Sequence, residues 1–103
     1  MIKQLLNSEY KNDRIKDFVS RGAQVIDVRS PGEFSSGHIK GSKNIPLQQL
    51  SGHVENIRKA NKPVIVCCAS GMRSAQAKSI LESKNIEVIN GGGWSGLNHV
   101  LNS

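Results

Sequence analysis

The clearest apolar run in the chain is Pro-Val-Ile-Val-Cys, at residues 63–67. A run rich in β-branched residues, with no polar alternation, is typical of a parallel strand that is covered on both faces. Shorter apolar runs predict two more strands, at residues 23–28 and 86–89. The pattern therefore predicts at least three strands, with the one at residues 63–67 as the best defined.

The segments outside the predicted strands carry apolar residues at helical spacing and predict three helices. These helices cover about residues 12–21, 47–59 and 72–84. Gly22 and Asn85 stand where the first and third helices need a left-handed C-terminal cap, and Gly52 is a weak point within the second. The residues that show the spacing are Ile15, Phe18 and Val19, then Leu47, Leu50, Val54 and Ile57, and finally Ala77, Ile80 and Leu81.

Strands that alternate with helices imply right-handed crossover connections and a parallel sheet. The chain has 103 residues, enough for one domain, so we expect one α/β domain of three layers over residues 1–103. In such sheets, ligands bind outside the carboxyl ends of the strands. The segment Val-Cys-Cys-Ala-Ser-Gly-Met-Arg-Ser, at residues 66–74, is such an end and contains both cysteines of the chain.

The composition limits the classes of partner. The chain has a net charge of +6, from 14 Lys and Arg against 8 Asp and Glu, a surplus that suits an anionic ligand or simply a basic surface. The basic residues are spread along the chain and only four residues are aromatic, so we expect no nucleic-acid partner. No apolar run is long enough to cross a bilayer, and the N-terminus turns polar too early for a secretory signal. We therefore expect a cytoplasmic protein with no membrane partner.

The two cysteines are adjacent, which limits what they can do together. A disulfide between Cys67 and Cys68 would strain the peptide that joins them and would close no useful loop. His38, His53 and His99 lack the paired spacing of structural zinc sites, so the sequence predicts neither a metal site nor a cofactor. The remaining alternatives are a reactive thiol beside an inert one, or two buried structural cysteines.

Residues 68–73, which we call the Cys68 loop, connect the predicted strand to the next helix. If backbone N–H groups of this loop converge on the Cys68 sulfur, they and the helix N-terminus favour the thiolate, while Gly71 permits the tight turn and Arg73 adds positive charge. The same N–H groups suit a tetrahedral anion such as phosphate, arsenate or the sulfonate end of thiosulfate. The predicted substrate-binding residues are Ala69, Ser70, Gly71, Met72 and Arg73.

Cys67 points to the opposite face of the strand from Cys68, because side chains alternate along a strand. We expect Cys67 to pack in the core as a small hydrophobic residue. The alternative is a resolving thiol that reacts with Cys68.

Three segments resemble one family. Residues 27–46, DVRSPGEFSSGHIKGSKNIP, resemble the first signature of rhodanese-like domains; residues 68–74, CASGMRS, are similar to their C-x-x-G-x-R-S loop; and residues 92–96, GGWSG, are similar to their closing segment. The resemblance implies about five parallel strands flanked by helices and a single-domain sulfurtransferase. It further implies that Cys68 carries sulfur as a persulfide, from a small anionic donor such as thiosulfate to cyanide, a thiol or a sulfur-accepting protein.

The loop length separates related activities. Rhodaneses of this family have six residues in this loop, whereas the related arsenate reductases and Cdc25-type phosphatases have seven. Cys68 to Arg73 counts six, which favours sulfur transfer. Many relatives carry a charged residue directly after the cysteine, where this chain has Ala69. The alternatives are an arsenate reductase or phosphatase and a non-catalytic rhodanese-like binding module.

Charged residues of the first signature are candidates for a supporting role. Asp27 and Glu33 are predicted to brace either Arg29 or Arg73 by charge-assisted hydrogen bonds and so to hold the Cys68 loop in place. The alternative is that these carboxylates cap turns at the strand end. His38 is interpreted as a turn residue, because attack by a preformed thiolate needs no general base.

Overall fold

Four parallel strands form the central sheet, in the spatial order β2-β1-β3-β4. The structure is a computed structural model that describes the backbone of residues 2–103 and the side chains from residue 9 onward. The strands are β1 (Gln24–Asp27), β2 (Lys43–Asn44), β3 (Val64–Cys68) and β4 (Val88–Gly93). The parallel α/β architecture is confirmed, with four strands in the described residues rather than about five. The segment before β1 is helical, so no strand precedes it there.

Helices cover both faces of the sheet and make the three predicted layers. They are α1 (Ile2–Ser20), α2 (Pro31–Ser36), a 3-10 helix (Leu47–His53), α3 (Val54–Lys59), α4 (Met72–Glu82) and α5 (Trp94–Leu101). The 3-10 helix, α3 and α4 pack on one face, and α1 and α5 pack on the other. None of the described helices combines the length and hydropathy that a bilayer span requires.

β3 lies between β1 and β4, and all five of its side chains are buried. Val64, Val66 and Cys68 face the core beneath α4, whereas Ile65 and Cys67 face the core beneath α1 and α5. Each large apolar side chain buried in this way contributes about 1.5–3 kcal/mol to folding. The unbroken apolar run therefore reflects a strand with a helical layer on each face, and the two cysteines lie on opposite faces as predicted.

The helix boundaries differ from the expectation in instructive ways. α1 begins at Ile2, ten residues earlier than residue 12, because no proline or glycine interrupts the segment. The segment predicted as one helix over residues 47–59 is a 3-10 helix followed by a short α-helix, and the change comes directly after Gly52. The predicted left-handed caps are confirmed, with φ of 80° at Gly22 and 62° at Asn85.

β4 lies later in the chain than the apolar run at residues 86–89 predicts. It extends through the glycine run to Gly93, because Gly92 and Gly93 pair with Cys67 and Cys68 of β3. A side chain at Gly91 would place its Cβ 2.8 Å from Cδ2 of Leu97 and 2.9 Å from Cγ2 of Ile65. The glycines thus let α5 approach the sheet closely, which a pattern of hydrophobicity cannot reveal.

We predict that Gly91→Ala lowers the free energy of unfolding by about 1–3 kcal/mol, because the new methyl group overpacks the contact between α5 and β3. Gly96→Ala is the matched control: it lies on the exposed side of α5 with no neighbouring atom within 4 Å of the new Cβ. This control is expected to raise the free energy by up to about 1 kcal/mol through helix propensity. Urea unfolding measures both, and equal effects of the two changes would contradict the close packing at Gly91.

Candidate active site

Cys68 is the last residue of β3, and the Cys68 loop turns directly into α4 at the carboxyl edge of the sheet. The turn depends on Gly71, which caps α4 in the left-handed conformation with φ of 99°. A Cβ at this position would also lie 3.4 Å from Cα of Gly92. Glycine is therefore required here by backbone conformation, and it lets the loop lie against β4.

Hydrogen-bond donors surround the Cys68 sulfur. The backbone N–H of Gly71 donates to Sγ at 3.0 Å, the backbone N–H of Ser74 donates at 3.4 Å, and the Ser74 Oγ lies 3.3 Å away. Burial by itself raises the pKa of Cys68, but hydrogen bonds from Ser74, Gly71 and Ser70 outweigh it, so the pKa is lower than that of an ordinary thiol. The loop therefore favours the thiolate.

Cys67 has the opposite environment. It is fully buried on the other face of β3, in the core that contains Ile15 and Phe18. Burial, followed by the negative charge of Asp27, raises the pKa of Cys67 to about 12. Both thiols are free, and their positions on opposite faces of one strand argue against Cys67 as a resolving thiol for Cys68.

Ser74 and Asn90 support the loop, and the sequence analysis did not single them out as site residues. The Ser74 hydroxyl lies 2.7 Å from Oδ1 of Asn90, which also accepts from the backbone N–H of Gly92 at 2.8 Å. Nδ2 of Asn90 donates to the carbonyl of Gly71 at 3.1 Å. One amide thus ties the Cys68 loop to β4. In the sequence, Asn90 is recognisable as a polar residue that follows the apolar run at residues 86–89 and directly precedes the glycine run.

The Ser74 hydroxyl carries one proton, so it donates either to Asn90 or to Cys68. A thiolate at Cys68 can only accept, and the hydroxyl then donates to Sγ. Oδ1 of Asn90 keeps the N–H of Gly92 as its donor in that state. The network can therefore accommodate the ionised sulfur without leaving a buried acceptor unsatisfied.

The Arg73 guanidinium binds Glu33 in a bidentate ion pair, with distances of 2.7 and 2.9 Å. Glu33 also caps α2, because its Oε1 accepts the backbone N–H of Ser30 at 3.1 Å while the Ser30 side chain accepts the N–H of Glu33. Hydrogen bonds from Arg73 and then from Ser30 lower the pKa of Glu33 to about 2. The predicted bracing and capping interpretations of Glu33 therefore both describe its contacts.

Asp27 pairs with Arg29 rather than with Arg73. The carboxylate of Asp27 accepts from Nε of Arg29 at 2.9 Å and from Nη2 at 2.7 Å, and both residues are buried. Arg29 also donates to the carbonyl of Gly37 at 2.7 Å, and its guanidinium lies 4.8 Å from the centre of the Trp94 ring. This pair fixes the segment that carries α2 and Glu33 beside the Cys68 loop.

The charge that we expected from Arg73 at the rim of the loop is paired with Glu33 in the structure. The hydrogen bonds to the Cys68 sulfur come instead from the backbone N–H groups of Gly71 and Ser74 and from the Ser74 hydroxyl. The outer surface of the loop is formed by Ala69, Ser70 and Met72, and the Met72 side chain is 76% exposed. The mouth of the site is therefore mostly uncharged.

His38 lies outside this arrangement of donors. Its Nδ1 is 2.8 Å from the carbonyl of Phe34, and the two rings stack with their centres 3.8 Å apart. The ring is exposed and bonded to backbone, which agrees with its interpretation as a turn residue. The geometry assigns it no contact with the Cys68 sulfur.

Known proteins resemble this chain in fold and in sequence. The crystal structure of reduced Bacillus anthracis CoADR-RHD superposes with a TM-score of 0.71 at 36% identity, over 87% of this chain and 16% of that chain. The chain is 49% identical over 61 residues to YqhL of Bacillus subtilis, an uncharacterized protein, covering 59% of this chain and 48% of YqhL.

The thiosulfate sulfurtransferase PspE of Escherichia coli is 39% identical over 70 residues, which cover 66% of this chain and 67% of PspE. The chain thus spans about half the length of YqhL and two thirds of PspE. The family model described as "Rhodanese-like domain" matches residues 8–98 of this chain. Because this match covers most of the chain, the protein belongs to the rhodanese-like domain family.

Proposed function

We propose that this protein is a sulfurtransferase that carries sulfane sulfur as a persulfide on Cys68. The observation that carries the proposal is the Cys68 sulfur at a strand end, with donors from Gly71 and Ser74 at 3.0–3.4 Å. A thiolate held in this way is a nucleophile without the help of a general base. The relative PspE, named a thiosulfate sulfurtransferase, supports the same reaction class.

The first half-reaction loads the sulfur. With thiosulfate as donor, the Cys68 thiolate attacks the outer sulfur, a new S–S bond forms, and the S–S bond of thiosulfate breaks. Sulfite leaves with the electron pair of that bond and carries two negative charges, while the persulfide keeps one. The N–H groups of the Cys68 loop then stabilise the terminal persulfide sulfur, as an oxyanion hole stabilises oxygen.

The second half-reaction unloads the sulfur. A thiophilic acceptor such as cyanide attacks the terminal sulfur, the persulfide bond breaks, and the electron pair returns to Cys68 as thiolate. With cyanide the product is thiocyanate. Donor and acceptor use the same sulfur in turn, so the kinetics are ping-pong.

The contacts of Arg73 favour sulfur transfer over phosphoryl transfer. An arginine that recognises phosphate uses its planar fork to donate two hydrogen bonds to the oxygens. The fork of Arg73 is bound to Glu33 instead, at 2.7 and 2.9 Å. Together with the six-residue loop, this leaves a site suited to one sulfur atom rather than to a full tetrahedral oxyanion.

We predict that thiosulfate adds one sulfur atom to Cys68 and that cyanide then releases thiocyanate. Intact-mass spectrometry detects the first step, and a colorimetric assay detects the second. Cys68→Ser is expected to abolish both, whereas Cys67→Ala keeps both and lowers stability by about 1 kcal/mol, since a buried sulfur is lost.

The proposal is wrong if reduced protein forms no persulfide with thiosulfate or with an organic hydropersulfide. Turnover that survives in the Cys68→Ser variant contradicts it equally. If Cys67→Ala lost activity while its unfolding transition stayed normal, Cys67 would be the thiol that reacts, which would also contradict the proposal.

We also predict that iodoacetamide modifies Cys68 first in folded protein, with a midpoint below the ordinary cysteine pKa of about 8.5. Cys67 reacts only after unfolding, because its pKa is raised to about 12 by burial and Asp27. Cys68 has no exposed surface at rest, so the measurement is the pH dependence of the rate rather than its absolute value.

Ser74→Ala should move that midpoint to higher pH, because the thiolate loses a hydroxyl donor. Ser79→Ala, on the exposed side of α4, is the matched control and should leave the midpoint unchanged. A midpoint that is the same in all three proteins would show that the hydroxyl does not stabilise the thiolate.

A further inference from the structure

The two arginines near the Cys68 loop are already neutralised. Arg73 is paired with Glu33 and Arg29 with Asp27, and the residue after Cys68 is the uncharged Ala69. When the S–S bond of thiosulfate breaks, its sulfonate end takes the electron pair and leaves as sulfite, so the charge on that group changes from one to two negative charges. An unpaired cation close to the loop would therefore favour a donor of this class.

α1 brings such a cation to the loop. Arg21, just after the end of α1, binds Glu87 at 2.8 and 2.9 Å, next to the start of β4. Ile15 and Phe18 are buried against the sheet. Lys11 lies four residues before Ile15 and seven before Phe18, which places it on the same face of the helix. Lys11 is thus directed toward the carboxyl end of β4.

The contacts of Lys11 connect it with the Cys68 loop through two glycines. Its Nζ lies 3.0 Å from the position that a Cβ at Gly92 would occupy. The Cα of Gly92 in turn lies 3.4 Å from the Cβ position of Gly71, whose N–H donates to Sγ of Cys68. The ammonium group therefore lies beside Gly92, the residue that packs against the loop glycine whose N–H binds Sγ of Cys68.

The charge of Lys11 is available for a ligand. Its side chain is exposed, and it takes part in none of the ion pairs between described side chains. Glu9 and Asp13 lie two residues away on either side, which places them about 200° around the helix from Lys11. The carboxylates nearest in sequence therefore point away from its ammonium group.

We infer that Lys11 is a specificity-determining residue that attracts and stabilises the anionic leaving group of the sulfur donor. This inference rests on the proposed function and names its donor class: sulfane sulfur compounds that end in an oxyanion, such as thiosulfate. In the loading step, Lys11 meets the sulfite oxygens as the S–S bond breaks, and the persulfide itself stays with the Cys68 loop. The cation that Ala69 does not provide is thus contributed by a different element of the fold.

The test compares Lys11→Gln with Lys16→Gln, an equal change of net charge on the exposed part of the same helix. The measured quantity is kcat/KM for the donor, which in ping-pong kinetics reports only the loading step. Lys11→Gln is expected to lower this value about tenfold for thiosulfate and to weaken its dependence on salt. Lys16→Gln should change it less than about twofold, and Lys11→Arg should retain most of it.

A second donor separates the outcomes. The hydropersulfide of 2-mercaptoethanol transfers sulfur but has no oxyanion, so Lys11→Gln should load from it at the wild-type rate. Three results would overturn the role of Lys11 and leave the proposed function in place. They are equal losses with both donors, equal effects of Lys11→Gln and Lys16→Gln, and a wild type that loads only from the hydropersulfide. A wild type that forms no persulfide with either donor would overturn the proposed function itself.

Discussion

The ion pair between Asp27 and Arg29 holds together the parts on which the site depends. Asp27 is fully buried and Arg29 is 4% exposed, so neither charge has access to water that could replace its partner. Removing one partner of such a pair typically costs about 3–5 kcal/mol, because the other charge is left buried and unpaired. The pair is satisfied here by three side-chain hydrogen bonds and by the N–H of Arg29, which also donates to Asp27.

A series of contacts connects the Asp27–Arg29 pair with the Cys68 loop. Arg29 accounts for the position of α2 through its bond to the carbonyl of Gly37, and α2 presents Glu33 to Arg73. On the other side, Asn90 connects the same loop to β4. The Cys68 loop is therefore held at Gly71 by Asn90 of β4 and at Arg73 by Glu33 of α2. Its backbone N–H groups are positioned before any substrate arrives, which is the condition for effective electrostatic stabilisation.

The sequence predicts well what depends on local chemistry. The buried strand at residues 63–67, the cap at Gly22 and the opposite orientations of Cys67 and Cys68 all follow from residue type and spacing. Residue type and spacing do not predict the partners of Arg29 and Arg73. Asp27 and Glu33 are both close in sequence to Arg29, and only the packing of the elements decides which carboxylate binds which arginine. Asn90 and Ser74 were missed for the same reason: their role arises from the contact of two elements 16 positions apart.

β4 shows which part of the fold the hydrophobic pattern does not predict. Glycines are poor strand formers by themselves, and a pattern-based boundary stops before them. In the structure, Gly92 and Gly93 pair with the two cysteines, and Gly91 lets α5 approach the sheet. The departure from local preference therefore occurs beside the site, where close approach of backbones matters more than propensity.

The placement of the two thiols on opposite faces of β3 has a consequence for the proposed persulfide on Cys68. These are the only cysteines in the chain, and the strand itself stands between them. Under the proposed function, a persulfide on Cys68 would have no other thiol of this chain to which its sulfur could pass, and it could not decay through a disulfide with Cys67. The lifetime of the loaded state would then be set by the arrival of a second molecule, so that loading and delivery of sulfur could occur at different times.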